Sequence, residues 1–82
     1  MKKAAENGFG KMPRREQGIF KRLIDELADQ GPVRDKWPNY SKLGNITHHC
    51  HLSRKWVACW RHENDTIEIE VYYAGSRESA PY

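Results

Sequence analysis

The sequence predicts an α+β domain in which one or two N-terminal helices pack on one face of a small antiparallel β-meander. Three observations carry this. Apolar residues Ile19, Phe20, Leu23, Ile24 and Leu27 recur at helical spacing, and Gly31-Pro32 ends the run. Three later runs, Ile46–Leu52, Trp56–Arg61 and Thr66–Tyr73, read as strands separated by short polar turns. Helix, connector and meander in that order put the helical layer on one side of the sheet. At 82 residues the chain has room for a single domain, 1–82, with a thin core.

Residues 1–12 have weak helix character: Ala4, Ala5 and Glu6 favour a helix, whereas Gly8 and Gly10 cost it, so any helix here is short and frayed. Pro13 suits the first turn of a better helix, which the apolar stripe predicts from Arg14 to about Gln30. Val33 to Gly44 shows no sustained period and reads as an ordered connector. Its Trp37 and Tyr40 are expected to pack at the edge of the core, with stacking on a nucleobase as the alternative.

If Ser53-Arg54-Lys55 is a three-residue hairpin loop, Leu52 faces Trp56, Cys50 faces Ala58 and His48 faces Trp60. One face then holds Ile46, His48, Cys50, Leu52, Trp56, Ala58 and Trp60, ready for a helix to cover. The other holds Thr47, His49, His51, Val57, Cys59 and Arg61. A two-residue loop would set Lys55 beside Leu52 on the core face, which disfavours it. The second hairpin is expected to turn through Glu63-Asn64-Asp65. In the last run Ile67, Ile69, Val71 and Tyr73 alternate with Thr66, Glu68, Glu70 and Tyr72, predicting the first set on the covered face. Three strands leave exposed edges, and nothing before Pro13 reads as a strand to protect them, so self-association through an open sheet edge is expected.

Hydrophobic content of 38%, with three tryptophans, four tyrosines and two phenylalanines, excludes a disordered chain. No apolar run approaches membrane-spanning length, and Met1-Lys2-Lys3 lacks the apolar core of a secretory signal. Two cysteines make a poor disulfide framework, so a cytoplasmic location is expected. The net charge of +3 is below what binding to nucleic acid by charge alone would need. The cations are unevenly placed, however: Lys2, Lys3, Lys11, Arg14, Arg15, Lys21 and Arg22 fall within the first 22 residues.

Several blocks have an order and spacing found together elsewhere. They are Gly31-Pro32-Val33-Arg34, Trp37-Pro38-Asn39-Tyr40-Ser41-Lys42-Leu43-Gly44 and His48-His49-Cys50-His51-Leu52. Val57-Ala58-Cys59-Trp60, Glu70-Val71-Tyr72-Tyr73-Ala74-Gly75 and Glu78-Ser79-Ala80-Pro81-Tyr82 complete the set. Residues 13–82 thereby resemble the RelE branch of the RelE/ParE toxin superfamily, small bacterial proteins encoded beside an antitoxin. The resemblance implies a helix-covered antiparallel sheet, a cognate antitoxin as partner, and cleavage of mRNA on the ribosome by an endoribonuclease. Other branches of the superfamily poison DNA gyrase, and a catalytically degenerate module that only binds antitoxin is a further reading. This chain lacks the family's usual first strand. It carries His49 and His51 where ribonuclease members place lysines, and Val57 at a family arginine position.

Cutting RNA without a metal requires a base for the 2′-hydroxyl proton, cations for the crowded phosphate and an acid for the leaving 5′-oxygen. His49 and His51 project from one face of a strand and titrate in the range where acid and base roles can be shared. The resemblance places Arg77 at a family arginine that clamps the phosphate, and Tyr82 at a C-terminal tyrosine that stacks on a base or assists proton transfer. Arg54, Lys55 and Arg61 are supporting RNA-binding cations near the same face. Simpler readings stand beside these: His49 and His51 as surface residues, Arg77 with Glu78 as a tail ion pair, Tyr82 as a frayed end. His48, facing inward, reads as a satisfied core histidine. His49, His51 and Cys59 would form a three-ligand set for zinc, but His-x-His is common by chance and no Cys-x-x-Cys supports it. Neither metal nor cofactor is expected. Cys50 and Cys59 fall on opposite faces, which argues against a disulfide.

Overall fold

A computed structural model of the chain describes residues 2–63 and 68–82. Helix α1 (Lys3–Lys11) and helix α2 (Arg14–Gln30) precede four strands, β1 (Ser41–Lys42), β2 (Thr47–His51), β3 (Trp56–Arg61) and β4 (Glu70–Ser76), and a 3₁₀ turn at Arg77–Ser79. The strands form one antiparallel sheet in the order β1-β2-β3-β4. The α+β class and the helix-then-meander order are as the sequence predicts.

The first helix is better formed than its glycines predict. It packs against β4 so closely that a Cβ at Gly8 would lie 1.4 Å from the carbonyl oxygen of Ala74. The residue that weakens the helix locally is the one that lets it dock. Ala5 is fully buried there, and the Lys2 N–H donates to the Val71 carbonyl of β4 at 3.0 Å. Cover for that edge strand therefore comes from a helix, not from a strand.

Met12 and Pro13 divide the helices, since proline pushes the preceding residue into extended backbone and Met12 sits at ψ 146°. The Gln17 side chain reaches back to the Phe9 carbonyl at 3.0 Å, giving a partner to one of the last carbonyls of α1. Helix α2 covers the predicted residues, buries Phe20, Leu23 and Leu27, and ends at Gly31 with φ 92°, a conformation that favours glycine. Each fully buried side chain of this size contributes roughly 1.5–3 kcal/mol of transfer free energy.

The connector is pinned at several points. The Trp60 indole donates to the Pro32 carbonyl at 2.9 Å, and the Trp37 indole to Glu26 at 2.9 Å, with the Arg22 guanidinium 5.1 Å from the Trp37 ring centre. Asn39, at φ 52°, turns the chain in the left-handed conformation that asparagine tolerates. Trp37 and Tyr40 pack, as expected. The strand β1 inside this connector is a finding the sequence did not predict, because two residues are too short to show a period.

The β2–β3 register is the one the three-residue loop requires: His48 opposite Trp60, Cys50 opposite Ala58. Cys50, Leu52, Ala58, Trp60, Val71 and Ala74 join the helices in one core. His48 is 3% exposed, its Nδ1 2.7 Å from the Tyr40 hydroxyl and its ring parallel to Trp60. Burial pushes its pKa down. It is a satisfied core histidine.

Strand β4 corrects the predicted alternation. Trp60 pairs with Val71 but Cys59 pairs with Tyr73, so Tyr72 is an extra residue in a bulge. The bulge turns Tyr73 away from the core and puts Ala74 in its place. The strand also runs on to Ser76, beyond the predicted end at Tyr73. Of the predicted second turn, Asn64 and Asp65 lie outside the described residues, as do Thr66 and Ile67. Among the described residues no helix is long and apolar enough to cross a membrane.

Candidate active site on the outer sheet face

The face of the sheet turned away from the helices is not open. Val57 and Cys59, which point there, are fully buried. The C-terminal Tyr82 lies near Cys59 on this face. The Arg77 N–H donates to the Lys55 carbonyl at 2.7 Å, fastening the start of the 3₁₀ turn to the tip of the first hairpin. From there the chain folds back over β3 and sets the Tyr82 ring 4.4 Å from the His49 ring on β2. Tyr82 makes this contact while remaining 53% exposed.

His49 and His51 lie on this face as their spacing requires, 6.0 Å apart and edge-on. His49 is only 8% exposed, and its Nδ1 lies 3.0 Å from Ser41 Oγ on the neighbouring β1. His51 is half-buried. Burial lowers its pKa, and the charges of His49 and Arg77 lower it further, so it is a neutral imidazole at neutral pH. Tyr82 is shifted the other way: burial and the neighbouring Cys59 hold its phenol protonated, outweighing the opposite pull of Arg77. The face therefore presents a neutral imidazole, a second imidazole against a phenol, and a guanidinium close enough to act on both. Among the described residues Arg77 has no ion-pair partner, so it is not the tail pair with Glu78.

The supporting cations divide. Arg54 and Lys55 are exposed at the hairpin tip, beside a groove of about 410 Å³ also lined by Arg15, Glu16 and Trp56. Ser53 Oγ donates to Glu16 at 3.0 Å and holds this tip against the start of α2. Arg61 shares the face with His49, but its charge is taken up by Glu70, 2.8 Å away across β3–β4. The structure brings the rings of His49, His51 and Tyr82 together, sets Arg77 within electrostatic reach of His51 and Tyr82, and pairs Arg61 with Glu70.

Cys59 lies directly across from His49. Burial pushes its thiol up to about 12 against a smaller opposing effect of its hydrogen bond with Tyr72, so it stays protonated at neutral pH. Cys50 is pushed up to about 12 as well, on the core side. The two thiols are free and on opposite faces. Among the described residues no three His, Cys, Asp or Glu side chains stand together as a ligand set for a metal.

Sequence reasoning missed Ser41 and the two tyrosines of the bulge. Ser41 belongs to a block with no period, and only its pairing with His49 reveals it. Compared with models of protein families, with curated proteins and with solved structures, the chain finds no match in any of the three.

Proposed function

We propose that this chain is the toxin of a type II toxin–antitoxin system, a ribosome-dependent endoribonuclease that cuts mRNA without a metal and so stops translation. The observation that carries the reading is the meeting of His49, His51, Arg77 and Tyr82 on one sheet face, from parts of the chain more than 25 positions apart. These residue types supply what the reaction needs. Neutral His51 is the group suited to take the 2′-hydroxyl proton. The 2′-oxygen then attacks phosphorus and the bond to the 5′-oxygen breaks, leaving a cyclic phosphate. Arg77 offsets the charge that builds on the phosphoryl oxygens. His49 in its protonated form, or the Tyr82 phenol, returns a proton to the departing 5′-oxygen. Arg54 and Lys55 extend the cationic surface toward the hairpin tip for the adjoining RNA backbone.

The expected partners are a cognate antitoxin, mRNA and the ribosome. An apolar groove of about 400 Å³ between the helices, with Phe9, Phe20 and Ile24 in it and Glu6, Lys21 and Asp25 at its rim, suits the apolar face of an antitoxin helix. A second reading, a module that binds antitoxin but does not cut, is favoured by one observation: His49 is only 8% exposed.

The test is an mRNA cleavage assay on programmed ribosomes, with and without EDTA. Cuts within the decoding-site codon that survive chelation, and that vanish when His49, His51 and Arg77 are all changed to alanine, support the nuclease. A triple variant that cuts at the original rate removes the site assignment. Tight antitoxin binding with intact mRNA selects the second reading.

A further inference from the structure

Two neighbouring residues at the sheet edge grip two neighbouring histidines. Tyr40 approaches His48 on the core side, hydroxyl to Nδ1 at 2.7 Å, and Ser41 approaches His49 on the outer side, hydroxyl to Nδ1 at 3.0 Å. The cause is the pairing of β1 with β2. Ser41 is directly opposite His49, and opposed residues in antiparallel strands project their side chains to the same face within contact distance. The first grip is explained by burial, because His48 sits among Trp60 and Tyr40 and needs a polar partner. Burial asks for a partner at His49 as well, since it is only 8% exposed, and the group that answers is the hydroxyl of Ser41, itself exposed and on another strand.

We infer that Ser41 is a positioning residue for His49, holding the ring by Nδ1 so that Nε2 is the nitrogen that exchanges protons with RNA. This inference rests on the nuclease reading for its catalytic part. The chemistry of a hydroxyl suits the task. It donates to an unprotonated Nδ1 and accepts from a protonated one, so the ring keeps its orientation in both states of a proton cycle. A backbone carbonyl could serve only the N–H form. Among the described residues no hydrogen-bond partner stands at His49 Nε2. Among the described residues the ionisable groups on this side include His51 on β2, Cys59 and Arg61 on β3, Tyr72 and Tyr73 on β4, and Arg77 and Tyr82 of the tail. Each lies on a different element from Ser41, which alone approaches from β1.

The experiment has two arms, run on the full chain. In the first, ¹⁵N NMR of the histidine side chains is compared between the parent, Ser41→Ala and Ser41→Thr. The Nδ1 signal of His49 should move in Ser41→Ala and return in Ser41→Thr, with His48 unchanged as an internal control through Tyr40. An unmoved Nδ1 signal in Ser41→Ala overturns the inference. In the second arm, mRNA cleavage on ribosomes should fall roughly tenfold in kcat for Ser41→Ala, with KM within about twofold, as expected for loss of one orienting hydrogen bond. Ser41→Thr should recover it. If the parent cuts and Ser41→Ala cuts equally fast, the positioning role is wrong. If the parent does not cut at all, the nuclease reading falls, and the first arm alone decides whether Ser41 holds the ring.

Discussion

Replacing Gly8 with alanine should cost this protein more stability than its position on a helix implies. Intrinsically the change is favourable, because glycine in a helix interior is worse than alanine by roughly 0.5–1 kcal/mol. The structure reverses the sign. The new Cβ would stand 1.4 Å from the Ala74 oxygen and 2.6 Å from its carbonyl carbon, both backbone atoms that no side-chain rotation can clear. Restoring ordinary contact at about 3.5 Å means moving α1 off β4 by roughly 2 Å. That shift loosens the packing of Ala5 and strains the hydrogen bond from Lys2 to Val71. Overpacking of this kind costs about 1–3 kcal/mol, and more where the backbone cannot yield. A 1 kcal/mol loss lowers Tm by roughly 4–8 °C in a domain of this size, so Gly8→Ala should melt roughly 4–24 °C below the parent. Gly10, on the same helix, has nothing within 4 Å of its would-be Cβ, and Gly10→Ala should hold or raise Tm. Thermal melts by circular dichroism measure both. A Gly8→Ala variant that melts with or above the parent refutes the close approach of α1 to β4.

Other outcomes follow from burial. His48 and His51 have folded-state pKa values pushed below the ordinary histidine value, so below about pH 6.5 the unfolded chain binds more protons than the folded one. Stability should be level above that pH and decline as pH falls through the folded pKa values; urea unfolding at pH 7.5, 6.5 and 5.5 checks the sign. Both cysteines are buried with thiols raised to about 12, so a thiol reagent should label neither in the native state and both once urea is added. Removing Tyr82 should expose His49, and diethyl pyrocarbonate should then modify that histidine several-fold faster, while the core residue His48 stays protected. Gly18→Ala, at an exposed position on α2 with open space around it, should add about 0.5–1 kcal/mol.

Much of the fold is legible because its signals are local. The stripe from Ile19 to Leu27, the stop at Gly31-Pro32 and the polar loop Ser53-Arg54-Lys55 each depend on neighbours within a few positions, and each is realised as read. Helix α1 forms more fully than its local sequence predicts because it packs on a surface more than 60 positions away, where Gly8 meets Ala74. Tyr73 lies on the face opposite to the one its alternation predicts because one extra residue, Tyr72, shifts the phase. The candidate site was half legible. A period of two put His49 and His51 on one face, whereas the approach of Ser41, Tyr82 and Arg77 depends on strand pairing and on the path of the tail.

By itself, then, the sequence determined the class of fold, the long helix, the register of the first hairpin and the inward face of His48 and Trp60. Periodicity and turn length suffice for these, since a one-residue slip would send every core side chain to water. The tertiary structure alone decided that the outer face is covered, that Arg61 is neutralised by Glu70 and that His49 is held from one side by Ser41 and roofed by Tyr82. Those contacts join residues 8 to 33 positions apart in the chain, and no local pattern encodes which of two exposed-looking side chains will meet.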